Sequence, residues 1–147
     1  MEKLIEYSLK KELTKIDQIR ISTNDDAYKF ARNFFHEDIS IYESMFAIFL
    51  NRNNQTIGYT KISQGGISAT IVDPVIILKY AIESLSSGVI LVHNHPSGNI
   101  NPSLNDIEFS KKISDLLEMM GVYLLDSIII TEEECVSINF RENDKLE

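Results

Sequence analysis

The run Gly88-Val89-Ile90-Leu91-Val92 has no polar alternation, and small or branched apolar residues fill it. A strand of that kind cannot keep one face in water, so the fold has to cover it on both sides. With strands and helices intermixed along the chain and at least one hairpin among them, the reading is an α/β chain of the α+β type, a mixed sheet flanked by helices. At 147 residues the chain is long enough to bury such a core. The run then meets Val92-His93-Asn94-His95-Pro96-Ser97-Gly98, which places two of the three histidines one residue apart against a turn.

The other elements follow from caps and periodicity. Ser22 to Asp26 is a cluster of N-cap residues with early carboxylates, and Ala27, Phe30, Ala31, Phe34 and Phe35 after it keep helical spacing. The spacing puts His36 at that helix's C-terminal end, where it would favour the dipole when charged. Met45 to Leu50 and Thr56 to Ser63, joined by Asn51-Arg52-Asn53-Asn54, read as a hairpin. Gly65-Gly66 reads as a bulge before a second extended piece through Val72, and Asp73-Pro74 opens a helix to about Leu85. Leu104, Ile107, Ile113, Leu116, Leu117 and Met120 mark one face of a helix that starts after Ser103 and stops at Gly121. Strands are expected over Tyr123 to Ile130 and about Cys135 to Phe140, with Cys135 buried and inert. Leu4 to Leu13 alternates imperfectly and reads as a strand in preference to a short helix. No linker or repeat divides the chain, so residues 1–147 are expected to form one domain, with 1–21 as an N-terminal extension.

Composition narrows the functions. The formal net charge of -8 opposes a broad nucleic-acid footprint, which draws on clustered Lys and Arg. One cysteine allows neither an intrachain disulfide nor a Cys-x-x-Cys site, so a bound metal would need nitrogen and oxygen ligands. The N-terminus "MEKLIEYSLKKEL" has no apolar core of a secretory signal, and no apolar run reaches membrane-spanning length, so a cytoplasmic protein with no membrane partner is expected.

Residues two apart in an extended segment point the same way at roughly 6.6 Å, so His93 and His95 can converge on one point. The turn-forming stretch from Pro96 to Pro102 returns the chain to a helix whose first turn carries Asp106. Ser103 and Asp106 by themselves spell a capping box. Behind a His-x-His at a strand exit they also supply a carboxylate to a site of two imidazoles and one oxygen ligand, a set that suits zinc well, with iron, manganese and nickel left open by ligand type alone.

The stretch "HNHPSGNINPSLND" resembles the JAMM (MPN-type, JAB domain) metalloprotease signature, His-x-His-Pro, a loop of about seven residues, then Ser-x-x-Asp. "HNHPSG" is the form seen in its bacterial RadC-like branch. "ESMFAIFLNRNNQTIGYTKISQGGISATIVDP" looks like the segment that leads into that signature, so the resemblance covers roughly residues 22 to 140. The helix-hairpin-helix region of full-length RadC proteins has no counterpart in the sequence read here. The resemblance implies a cytidine deaminase-like fold, one zinc ion held by His93, His95 and Asp106 with water as fourth ligand, and Ser103 close to that water as a donor to the oxyanion. It also implies a glutamate general base before an early strand, which by position is Glu43, with Glu83 as a rival. Asp126-Ser127 stands where RadC-like chains often show Asp-His.

The implied activity is a zinc-dependent hydrolase acting on a peptide or isopeptide bond, with a peptide or protein as substrate. Two other classes compete with it: a RadC-like DNA-repair or DNA-processing factor, and a noncatalytic MPN interaction module. A zinc deaminase would need His-x-Glu and Pro-Cys-x-x-Cys, which one cysteine cannot supply.

Overall fold

Each helix starts where a side chain can satisfy its free N–H groups. In the computed structural model, which describes residues 1–7, 10–65 and 72–141, Thr23 caps helix α1 (Asn24–Ala31) and forms a reciprocal box with Asp26. After a short 3-10 helix over Glu37–Ser40 come strands β1 (Ser44–Leu50) and β2 (Thr56–Gln64). Helix α2 (Pro74–Glu83) starts with Pro after an Asp73 cap, and strand β3 covers Gly88–Asn94. Ser103 caps helix α3 (Leu104–Glu118), which leads to β4 (Tyr123–Ile130) and β5 (Cys135–Ser137).

The five strands form one mixed sheet in the order β2-β1-β3-β4-β5. Only the β3–β4 pair is parallel, and α3 makes the crossover between those two strands. Every residue of β1 and β3 is buried, as a central pair covered on both faces must be. Helices α2 and α3 cover one face, where Ile77, Ile113 and Leu117 pack on Ala47, Leu91 and Ile129. On the other face α1 and the turn after it bring Phe30, Phe34 and Phe35 against Phe46, Ile48 and Val92. Strand alternation therefore sends Leu91 and His93 toward α3, and Asn94 toward α1.

Several expectations are corrected. Helix α1 ends at Ala31, and Phe34 and Phe35 lie in the turn beyond it, still 7% and 4% exposed; Phe34 stacks on Tyr59 at 4.2 Å. Their spacing records burial and not helix, so His36 is an exposed residue just ahead of the 3-10 helix. The described part of Leu4 to Leu13 forms neither strand nor helix, and Leu4, Tyr7 and Leu13 are exposed; an alternating segment with no partner gains nothing from extension. Leu104, the first residue of α3, and Met120, two residues beyond its end, are exposed at 70% and 39%. Cys135 is half-buried on the short edge strand, and burial pushes its thiol up. The β1–β2 pair has two register shifts, beside Met45/Phe46 and Phe49/Leu50, which leave Ile62 and Ile57 as the extra residues, while Gly65 closes β2 by donating its N–H to the Glu43 carbonyl at 2.8 Å. Gly66 and the extended piece that follows, as far as Ile71, lie outside the described residues.

Among the described residues no helix is long and apolar enough to cross a membrane.

A candidate metal centre at the end of β3

Antiparallel pairing sets Met45 of β1 opposite His93 of β3. Two residues further along, beyond the end of the ladder, Glu43 falls at the level of His95 on the same side of the sheet. Ligand atoms of Glu43, His93 and His95 lie within 4.8 Å of one another, a group that could hold a metal ion. Asp106 enters from the first turn of α3: its Oδ1 is 3.3 Å from His93 Nε2 and its Oδ2 3.3 Å from His95 Nε2. The side chains surround a cavity of about 420 Å3, whose wall also includes Met45, Val72, Ser103, Phe109 and Ser110. A wider depression beside Arg32 and His36 contains no such cluster among the described residues.

The capping box and the site are the same atoms. Ser103 Oγ accepts the Asp106 N–H at 3.0 Å, and Asp106 Oδ2 accepts the Ser103 N–H at 2.9 Å. The cap therefore fixes the carboxylate that faces the imidazoles. It occupies a lone pair of Ser103 Oγ and leaves the hydroxyl proton free to donate into the cavity. Burial alone would raise the Asp106 pKa, but the two imidazoles and the Ser103 N–H outweigh it and hold the carboxyl well below the usual carboxylate range. Contact with Asp106, against the opposing cost of burial, raises the His95 pKa.

The donors suit a cation. His95 Nδ1 lies 2.6 Å from the carbonyl of Asn99; a carbonyl only accepts, so Nδ1 carries the proton and a neutral ring offers its lone pair at Nε2. His93 is 4% exposed, and neither ring nitrogen has an aligned hydrogen bond, its 3.3 Å approach to Asp106 included. A buried imidazole without partners is costly unless something else takes its nitrogen. The arrangement gives two nitrogen donors and adjacent carboxylates, a set that could hold a metal ion.

Asn94, between the two histidines, is a residue the sequence reading passed over. It is 0% exposed. Its Oδ1 accepts the Ser44 N–H at 2.8 Å, and its Nδ2 donates to the carbonyls of Ile39 and Tyr42 at 2.6 and 2.7 Å. With the Gly65 N–H on the Glu43 carbonyl, the backbone on both sides of Glu43 is tied down. The signal in the sequence was alternation itself: the middle residue of His-x-His must face the opposite side, and an amide there needs partners.

Glu83 pairs with Lys79 at 3.9 Å on α2 and does not line the cavity. Ser127 is 1% exposed and accepts from Ser110 Oγ at 2.9 Å, so a pair of buried hydroxyls occupies this position.

Ser103 offers a test that separates capping from chemistry. Ser103→Ala is expected to cost about 1 kcal/mol through the lost cap, whereas Ser103→Asp retains an N-cap acceptor and should unfold near the wild-type temperature. If the hydroxyl proton serves a substrate, both variants lose turnover by about 100-fold and only Ser103→Thr keeps it. Equal turnover in Ser103→Asp and wild type would leave Ser103 a cap alone.

Residues 21–145 match the family model described as the RadC-like JAB domain. The chain is similar to a UPF0758 protein of Flavobacterium johnsoniae, 38% identical over 118 residues that make up 80% of this chain and 51% of that protein. It is also similar to a UPF0758 protein of Streptococcus suis, 35% identical over 145 residues, 95% of this chain and 58% of the relative. The chain thus spans about half the length of the curated relatives it matches. With a mixed five-stranded α+β sheet, a His-x-His at the end of its central strand and a family match over nearly its whole length, the chain belongs to the RadC-like JAB domain family.

Proposed function

We propose that the chain is a zinc-dependent hydrolase of JAMM type that cleaves a peptide or isopeptide bond. The observation that carries the reading is the meeting of His93, His95, Asp106 and Glu43 around one cavity, with the buried His93 ring left without a hydrogen bond. His93, His95 and Asp106 would hold the ion, and Glu43, on the adjoining strand end, would remain as the base. Zinc bound there supplies an electrophile that acidifies a water and polarises a carbonyl. Glu43 takes the proton of the attacking water and returns it to the leaving amine. Ser103 donates its hydroxyl proton to the carbonyl oxygen as negative charge gathers on it. Asn99 holds His95 in the tautomer that leaves Nε2 unprotonated.

The DNA-processing alternative draws no support from the cavity. Phosphodiester recognition calls for Lys or Arg, and the described residues lining the cavity include neither. The noncatalytic alternative leaves the intact donor set without a role.

Metal analysis of the purified chain together with turnover of a peptide and isopeptide panel tests the proposal. The expected result is about one zinc per chain and cleavage that stops on chelation and returns with zinc. A chain that takes up no zinc and cleaves nothing, yet binds DNA tightly and with steep salt dependence, would overturn it.

A further inference from the structure

We infer that the inner, apolar part of the cavity is a specificity pocket for the substrate side chain next to the scissile carbonyl, and that Met45, Val72 and Phe109 select an apolar residue there. The inference rests on the hydrolase reading and names its substrate class. Its basis is the division of the cavity wall. Exposed polar residues, Ser97, Ser103 and Asn105, form one rim. The less exposed lining includes Met45, directly opposite His93 in the β1–β3 ladder, Phe109, three residues after Asp106 on α3, Val72, just ahead of α2, and the Ser110 hydroxyl. Met45 is 6% exposed, Val72 and Phe109 are partly buried, and all three pack on the core shared by α2, α3 and the sheet.

Residues three apart on a helix share a side, so Phe109 lies one turn from the carboxylate beside the imidazoles. A group held at His93 and Asp106 therefore carries its neighbouring side chain against Phe109 and Met45. The charged groups of the described lining are Glu43, Asp106 and the imidazoles; an acidic side chain would meet carboxylates and no Lys or Arg. At about 420 Å3 the cavity is within the range of preformed ligand sites. A leucine-sized side chain buried on such a wall gains roughly 10- to 100-fold in affinity over none.

Amino-acid hydroxamates test the pocket without turnover, because the hydroxamate binds zinc and the side chain stands beside it. With the zinc-loaded full chain, leucine hydroxamate is expected to bind roughly tenfold or more tightly than glycine hydroxamate, and aspartate hydroxamate no more tightly than glycine hydroxamate. Phe109→Leu and Val72→Asn, each with zinc content and folding measured in parallel, are expected to shrink the leucine-to-glycine ratio to below about threefold. Zinc uptake with no leucine preference in the wild type overturns the pocket and leaves the hydrolase reading standing. A preference that persists unchanged in both folded variants overturns the assignment of the wall. No zinc uptake and no hydroxamate binding overturns both readings.

Discussion

Asn94→Ala is expected to be among the most destabilising single substitutions in the chain, lowering the unfolding free energy by about 3–5 kcal/mol. The reason lies in what it strands. Without the side chain, the Ser44 N–H and the Ile39 carbonyl lose a buried partner, and the carbonyl of Tyr42, at a more exposed turn, loses a part-buried one. Each orphaned buried group costs about 1–3 kcal/mol, and the turn at Tyr42 recovers a part of that by admitting solvent. Asn94→Asp separates hydrogen bonding from packing. It keeps the shape and the acceptor for Ser44, but sets an oxygen where Nδ2 now lies 2.6 and 2.7 Å from two carbonyls. Denaturant unfolding should place both variants well below the wild type. If the chain is the proposed hydrolase, its turnover at temperatures where Asn94→Ala is folded should fall about 100-fold, since a displacement of an ångström at Glu43 is enough. A loss below about 1 kcal/mol in both variants would mean that the segment ahead of β1 is held by something else.

The same residue shows what a sequence reveals and what it conceals. Caps were legible because their chemistry is local: Thr23 with Asp26, Asp73 with Pro74, and Ser103 with Asp106 all start helices where side chain and backbone meet within four residues. The central strand was legible because burial on both faces leaves no polar alternation. Contacts that depend on what folds against a segment were not legible. Phe34 and Phe35 continue a helical spacing, but tertiary packing on Phe46 and Tyr59 holds them in a turn. Among the described residues the exposed N-terminal alternation pairs with no strand, and Leu104 and Met120 are exposed although they keep the spacing of the buried helix face. Of the site, His93, His95 and Asp106 are brought together by one turn and one helix cap, both local. Glu43 is about fifty residues from them, and only the β1–β3 register brings it near; the resemblance pointed to it and the periodicity did not.

The second large effect concerns the division of labour between the two carboxylates. Glu43 belongs to the group within 4.8 Å of both imidazoles, while Asp106 lies 3.3 Å from each of their Nε2 atoms. Either could in principle be the third ligand, and paired substitutions decide. Asp106→Asn is expected to lose zinc from the purified chain, with affinity down by two orders of magnitude or more. Glu43→Gln is expected to retain zinc and lose turnover by at least about 100-fold. The reverse pattern would exchange their roles. The metal-free protein offers an independent check. Asp106 has a depressed folded pKa, so its stabilising contribution is present above the unfolded value of about 3.9 and is lost as pH falls below it. His95 has a raised one, so its contribution is complete below about 6.5 and is lost as pH rises through the folded value. After chelation, the stability advantage of wild type over Asp106→Asn should therefore be greatest between about pH 4 and 6.5 and shrink on both sides. With zinc bound the imidazoles are held neutral and the alkaline decline should vanish. An advantage independent of pH in the stripped protein would show that Asp106 acts there only as the cap of α3.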